Sequence, residues 1–209
     1  MNFSHDLSEL VDQLEPIARP GGEGRVLMVM GGSRGAGAST VARELARLSA
    51  QRSRRGVWLY DLDFNGNPQS EAAHVRGEVF DARFGREPFW SIKSGENPAR
   101  IVARQSVVSN LFVTQLQARR GTVEQVGLRA APEYWQAVRQ SIDLAVIDAP
   151  ASSRAPLAMV GDVDGVILVA DARLTRTDGL LARRQSIEAR GGIVAGVILN
   201  RAGFERSVA

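Results

Sequence analysis

The 209-residue chain contains no cysteine, one lysine (Lys93), two histidines and two tyrosines. Without cysteine there is no disulfide framework and no thiolate chemistry, and a cytoplasmic address is the simplest expectation. With one lysine, a site built on an ammonium has a single candidate, remote in sequence from the glycine-rich stretch considered below. The chain also lacks a run of about 18 apolar residues that could span a bilayer as a helix. Its opening, MNFSHDLSEL, is acidic where a secretory leader is basic and then apolar. His5 and His74 have no metal-ligand spacing and are not candidates for catalysis.

What is present fits a globular protein. The chain is 44% hydrophobic with a formal net charge of +3, and its length predicts one large core. Arginine supplies nearly all the positive charge. Pairs such as Arg54-Arg55, Arg119-Arg120 and Arg183-Arg184 are dispersed among acids. That dispersal argues for solvated surface and against a nucleic-acid or lipid-binding face.

Residues 1–24 form a helical segment and linker: Leu7, Leu10, Val11, Leu14 and Ile17 recur at helical spacing before Pro20-Gly21-Gly22 breaks the chain. From residue 25 to 209 apolar bursts alternate with helical stretches. RVLMVMG (25–31), GVWLYDLD (56–63), NLFVTQL (110–116), LAVIDAP (144–150), GVILVAD (165–171) and GVILNRA (196–202) predict strands. Helices are expected over 39–52, near 133–142 and over 175–189. Strands apolar on both faces and alternating with helices predict an α/β fold, a mainly parallel sheet of at least six strands with helices on both sides. Residues 72–108 are the least readable part and a candidate for a mobile segment.

One stretch carries chemistry. Gly32-Ser-Arg-Gly-Ala-Gly37-Ala38-Ser39 has the spacing GxxxxG-x-[ST] between a strand and a helix. In such a loop successive backbone N–H groups curl around phosphates and the helix adds its positive end. Glycines permit the dihedrals and the close approach. Ser39 can place its hydroxyl on a Mg²⁺ ion. None of these contacts needs a lysine, yet a lysine is expected at position 38, where a methyl group stands. The missing charge-assisted bond is worth about 1.5–3 kcal/mol, and an aimed donor lost from a transition state can cost about a hundredfold in rate. Binding is therefore expected to survive weakened and phosphoryl transfer to fail. Arg34 is a partial substitute with a different geometry. The plain alternative is a strand-to-helix turn that binds nothing.

Carboxylates recur at strand ends, where ligands gather on parallel sheets. Asp61 and Asp63 follow one apolar run and Asp148 another; each can hold Mg²⁺ or its waters, or orient an attacking hydroxyl. A lone strand-end aspartate is more often a helix cap, but three beside a glycine loop favour a site. Asp171, Thr175 and Thr177 are read as capping and surface groups. Asn200 ends a strand where an amide can meet an adenine edge. Tyr60 is expected to be half-buried, and Tyr134, near a helix start, to be a surface residue.

GGSRGAGASTVARELA, VWLYDLDFNGNP, AVIDAP and DGVILVADARLTRTDG…GVILN together resemble the MinD/ParA superfamily of P-loop ATPases with a deviant Walker A loop, in that order over residues 25–202. Within it the chain is most similar to the cytoplasmic domains of bacterial tyrosine kinases (BY-kinases) of polysaccharide synthesis and export, whereas DLDFNGN is closer to the partition proteins. The resemblance implies a P-loop NTPase fold and ATP or ADP with Mg²⁺ as cofactor. It implies nucleotide contacts from Gly32, Arg34, Gly35, Ala36, Gly37, Ala38, Ser39, Thr40 and Asn200. Metal contacts would come from Ser39, Asp61, Asp63 and Asp148, the three aspartates also being the catalytic groups of any remaining activity. It also implies a homo-oligomer, and a partner at the cytoplasmic face of a membrane polysaccharide co-polymerase or another assembly component.

Three departures shape the expected function: Ala38 for the lysine, Ser33 where partition ATPases carry a lysine that crosses their dimer, and no tyrosine cluster in RAGFERSVA. The N-terminal segment also lacks the E-x-x-R-x-x-R pattern of ring assembly, which favours a dimer over a closed octamer. The expectation is a degenerate BY-kinase-like regulatory or scaffold protein of exopolysaccharide synthesis or export, an inactive pseudokinase or very weak ATPase recruited to the inner membrane through its partner. The alternatives are a MinD/ParA-type positioning or partition ATPase, including pilus-localisation relatives, and an active enzyme, above all an ATP-dependent tyrosine autokinase.

Overall fold

The structure is a computed structural model that describes residues 3–13, 22–64, 66–94, 99–118 and 123–201. Ten strands fall into an eight-stranded sheet and a two-stranded ribbon. They are β1 (Arg25–Gly31), β2 (Val57–Asp61), β3 (Val75–Asp81), β4 (Trp90–Ser94), β5 (Arg100–Ser106), β6 (Leu111–Gln117), β7 (Val123–Leu128), β8 (Leu144–Ala149), β9 (Gly165–Asp171) and β10 (Val194–Asn200). The helices are α1 (Phe3–Gln13), α2 (Ala38–Ala50), α3 (Pro68–Ala72), α4 (Pro132–Ser141) and α5 (Thr177–Glu188), with a 3₁₀ turn at Ala155–Met159.

The sheet order is β10-β9-β1-β8-β2-β6-β5-β3. From β10 to β6 every neighbouring pair is parallel, and β5 and β3 extend the sheet antiparallel. The parallel six-stranded block agrees with the reading of the sequence. Strands β3, β4 and β5 fall within residues 72–108, the part of the chain with the weakest sequence signal, and β7, the partner of β4, lies beyond it and was not expected as a strand. Residues 95–98 of that part, together with Leu14 and Ile17 of the N-terminal segment and residues 202–209, lie outside the described residues.

Alternation along the central strands builds the two faces. Val26, Met28 and Met30 of β1 point into one core with Trp58, Tyr60, Trp135 and Ile187. Leu27 and Val29 point into the other with Leu45, Leu59 and Val146. Successive side chains of a strand face opposite ways, so a strand buried on both sides must be apolar throughout. Helix α2 covers the second face with Val41, Ala42, Leu45 and Ala46, a helical stripe. Leu7 and Val11 of α1 are buried in the same cluster, so α1 packs on the domain.

Helix α4 covers the first face, and the expectation for Tyr134 is corrected there. Tyr134, Trp135 and Val138 form its buried side. The Tyr134 hydroxyl donates to the Ala82 carbonyl (2.6 Å) and lies 3.2 Å from the Tyr60 hydroxyl. Both tyrosines are fully buried. Edge-to-face contacts of Tyr60 with Trp135 (5.3 Å) and Phe89 (5.8 Å) fix the cluster.

A buried aspartate ties two segments below the sheet. Asp143 accepts from the Arg54 N–H (2.7 Å), the Arg55 N–H (2.9 Å), Ser53 Oγ (2.9 Å) and Arg55 Nε (2.7 Å). Burial alone pushes its carboxyl up, but the donors, those of Arg55 foremost, outweigh burial and bring it down to about 2. A carboxylate depressed in the folded state adds stability above its unfolded value of about 3.9, and that stability is lost as pH falls through the folded value. Asp143→Asn is expected to destabilise the chain by about 1–2 kcal/mol at neutral pH. The difference from wild type should shrink as pH falls from about 4 through the folded value, measured by denaturant melts at stepped pH.

Candidate functional site

The site lies at the carboxyl ends of β1, β2, β8, β9 and β10. The loop after β1 begins with Gly32, whose N–H donates to the Val169 carbonyl of β9 (2.8 Å). It tightens where the Ala36 N–H donates to the Ser33 carbonyl (3.3 Å). Gly35 (φ +78°) and Gly37 (φ +93°) take left-handed backbone. At Gly37 the left-handed backbone calls for glycine, and a Cβ there, 2.3 Å from Asn200 Nδ2, would also push the Asn200 amide off the loop. The first-turn N–H groups of α2 have no intrahelical acceptor and point their positive end into the loop. Loop residues Ser33 to Thr40 and residues 149–152 beyond β8 enclose a cleft of about 310 Å³. Ala38 lines it. Lys93, on β4 of the separate ribbon, does not.

The three sequence-predicted aspartates are not equivalent. Asp61 and Asp148 are register partners on adjacent parallel strands, and both are buried. Ser39 Oγ donates to Asp148 Oδ1 (3.1 Å), which joins the start of α2 to the end of β8. Asp63 is exposed, and its N–H donates to Asp61 Oδ1 (2.9 Å).

A residue the sequence reading missed joins these groups. Gln69, buried at the start of α3, donates its backbone N–H to Asp61 Oδ2 (2.9 Å). Its side-chain amide donates to Asp148 Oδ2 (2.6 Å) and to the Ser39 carbonyl (2.9 Å). Its oxygen accepts from Arg43 Nη1 (3.1 Å). Arg43 lies four residues after Ser39 on α2, a spacing that puts both on one helix face and that sequence alone could have flagged. Asn67 sets the segment before Gln69. In left-handed backbone (φ +46°), it donates to the Leu116 carbonyl (3.2 Å) and accepts from the Leu116 N–H (2.8 Å). Thr114 Oγ1 accepts the Asp61 N–H (3.0 Å).

At the far side of the loop Asn200 donates to the Ala36 carbonyl (2.9 Å), and its oxygen accepts the Arg201 N–H (2.9 Å). Arg201 reaches the Gly35 carbonyl (3.2 Å) and Asp171 Oδ2 (2.7 Å). Asp171 is therefore a buried anchor beneath the loop rather than a surface group. The N–H of Arg173, then Arg201, hold its carboxyl below the usual range. Thr175 serves the same corner, accepting the Asp171 N–H (2.8 Å) and meeting Ser33 Oγ (3.0 Å).

Burial dominates the site's electrostatics. It pushes Asp61 up to about 7 despite the Gln69 and Asp63 N–H groups, with the neighbouring Asp148 adding to the shift. Burial also raises Asp148, against the lowering effect of Gln69, Ser39 and Arg43. Among the described residues no three His, Cys, Asp or Glu side chains converge as a ready metal cage. The donors present are all oxygen, a serine hydroxyl and two carboxylates, which suits an ion that keeps most of its waters as Mg²⁺ does.

The fold is that of nucleotide-binding domains. The kinase domain of the Escherichia coli tyrosine kinase ETK superposes with a TM-score of 0.64 at 17% identity, covering 99% of this chain and 78% of that one. The septum site-determining protein MinD of Pyrococcus horikoshii, complexed with Mg-ADP, gives a TM-score of 0.63 at 21% identity, covering 86% and 71%. The VpsO kinase domain gives 0.60 at 20% identity, covering 97% and 100%. No protein-family model and no curated protein matches the sequence. The chain thus has the P-loop NTPase architecture, an α/β fold with a mostly parallel sheet, similar to both BY-kinase and MinD domains.

The carboxylate pair has a measurable signature. A carboxyl raised in the folded state contributes stability that is complete below its unfolded value and lost as pH rises through the folded value. Wild type is expected to lose stability relative to Asp61→Asn between about pH 4 and 7. The loss, a few kcal/mol at most, is read from chemical denaturation of both proteins across that range. A parallel pH dependence of the two would refute the assignment of the titration to Asp61.

Proposed function

We propose that the chain is a nucleotide-binding P-loop protein of BY-kinase-like type with weak or no turnover, acting as a regulatory or scaffold component of exopolysaccharide synthesis or export. The observation that carries this reading is a phosphate loop intact in its backbone, with its serine joined to a strand-end carboxylate, and a methyl group at Ala38.

In this reading residues 25–209 are the nucleotide-binding domain and residues 1–24 its helical appendage and linker. The backbone from Gly32 to Thr40, helped by Arg34, cradles the phosphates of ATP or ADP. Ser39 would hold Mg²⁺, with Asp148, Asp61 and Asp63 on its waters, and Asn200 would meet the adenine edge. The ion supplies charge compensation on the phosphates when bound. Phosphoryl transfer needs that compensation together with an aimed cation and an oriented acceptor. The aimed cation is absent at position 38, and the chain's two tyrosines, Tyr60 and Tyr134, are buried with hydroxyl pKa values raised chiefly by desolvation. Autokinase activity on tyrosine is thus disfavoured on two grounds. The protein would act as a homodimer on the cytoplasmic face of a membrane polysaccharide co-polymerase, recruited to the inner membrane by that contact; no helix among the described residues is long and apolar enough to cross one itself.

A positioning or partition ATPase of MinD/ParA type is the second reading. It is favoured by the resemblance of the DLDFNGN segment to partition proteins, and its Asn67 is held to Leu116 by two hydrogen bonds rather than left in a loose turn.

Calorimetry with ADP and ATP plus Mg²⁺ is expected to give weak binding, and Ala38→Lys should tighten it roughly tenfold by restoring a charge-assisted bond. Incubation with labelled ATP followed by mass spectrometry should give no phosphotyrosine and hydrolysis near background. No heat at millimolar nucleotide would reduce the loop to a structural relic. Stoichiometric phosphotyrosine would replace the pseudokinase reading by an active kinase.

A further inference from the structure

Beyond the phosphate loop, on the other side of the Ala151–Ser152 turn, lies a second concavity of about 340 Å³. One wall is a face of α5. Gly179, Ala182, Arg183 and Ser186 recur at helical spacing, and Arg190 continues the row past the helix end. Small side chains at 179, 182 and 186 make that wall recede. The opposite wall is Ser152 and Arg154, with buried Leu157 as floor.

The charge of this hollow is unusual for the molecule. Three arginines line it and no acidic residue does. Other arginines sit against carboxylates: Arg55 pairs with Asp143, Arg139 with Asp164, Arg184 with Glu188 and Arg201 with Asp171. Among the described residues neither Arg154, Arg183 nor Arg190 has a carboxylate partner. Arg183 is held half-buried by a bond from Nη2 to the Ala151 carbonyl (3.0 Å), and Arg190 Nη1 is held by the Ser186 carbonyl (2.8 Å). Both guanidinium groups are therefore placed by neutral backbone acceptors, which leaves their charge uncompensated.

Like charges gathered without counter-charges repel, and a protein surface normally disperses them. Guanidinium forks match phosphate oxygens two at a time. The Ser152 hydroxyl adds a neutral donor, Ser186 Oγ being committed to the Ala182 carbonyl (2.8 Å), and the volume is that of a small-molecule site rather than a single ion. We propose that this pocket is a second anion site, distinct from the phosphate loop, that takes the phosphoryl or diphosphoryl group of a small ligand between Arg154, Arg183 and Arg190. The site shares Ala151 and Ser152 with the loop cleft, so a ligand there is positioned to bias the loop through the carbonyl that Arg183 holds. The assignment does not require the loop to bind a nucleotide.

The test is calorimetric titration of the full chain with pyrophosphate, without magnesium and at low salt. It compares wild type, Gly35→Asp, and Gly35→Asp carrying Arg154→Gln and Arg190→Gln. A Cβ at Gly35 meets nothing within 4 Å, and aspartate is among the residues that best bear its left-handed backbone (φ +78°), so Gly35→Asp repels anions from the loop at the cost of local backbone strain alone. Pyrophosphate is expected to bind Gly35→Asp and to weaken roughly tenfold or more in the triple variant, both replaced arginines being exposed. If the loop itself binds no anion, wild type and Gly35→Asp will match and the arginine effect remains readable. Unchanged affinity in the triple variant, or no heat from Gly35→Asp at millimolar pyrophosphate, would overturn the proposal. So would a glutamate-rich peptide that binds through the same arginines while pyrophosphate does not, since the pocket would then belong to a protein partner.

Discussion

The hydrogen bond from Ser39 to Asp148 is the constraint on which the rest of the site depends. It exists because β8 is threaded between β1 and β2, so that Asp148, one residue before the end of β8, faces the helix that follows β1. Parallel strands bring their carboxyl ends to one edge, and helices leaving that edge start with unpaired N–H groups. A hydroxyl at the second residue of α2 and a carboxylate at the end of β8 meet for that topological reason. Gln69 then fills the space that remains, bonding both partners and the neighbouring Asp61. An amide can do this without adding charge between two carboxylates; a lysine there would neutralise them and a glutamate would repel them.

The opposite end of the loop is governed by a second arrangement. Asn200 and Arg201, the residues that end and follow β10, seize the Ala36 and Gly35 carbonyls. Arg201 adopts left-handed backbone (φ +56°), which a non-glycine residue holds only when its surroundings fix it. The buried carboxylate of Asp171 supplies that fixing. The loop's carbonyls are thereby drawn outward, toward β10. In a loop of this shape carbonyls turned out leave N–H groups turned in, so contacts outside the cleft set which backbone groups face it.

How far the sequence disclosed this varied with the kind of signal. β1, β2, β8, β9 and β10 are apolar on both faces, and continuous apolar runs announce themselves. β3 and β5 do not: β3 is exposed nearly throughout and β5 carries Arg100 and Arg104, because an antiparallel extension has one face in water. Ser39, Asp61 and Asp148 were legible because linear motifs end at them. Gln69 was not, since a side-chain amide reaching 79 residues along the chain leaves no local pattern. Tyr134 was misread from its place near a helix start. The pattern Tyr134, Trp135, Val138 is an apolar helical face, and it carries the more reliable information.

The retained carboxylates bear on whether the loop is a relic. Two buried, neighbouring acids are expensive: desolvation raises both, and Asp61 reaches about 7. A fold that needed only to pack would be at least as stable with apolar residues at the ends of β2 and β8, beside Val146 and Leu59, which already fill that core. The polar network softens the cost without removing it, since each donor to Asp61 or Asp148 is opposed by a larger effect of burial. Strained electrostatics of this kind accompany sites that bind or react. A methyl group at Ala38 puts no charge at the loop end of the cleft, while Ser39, Asp148 and Asp61 stay joined at the other end. That asymmetry is what the proposed function rests on: a cleft whose backbone and carboxylates could hold a phosphate without an aimed cation to act on it.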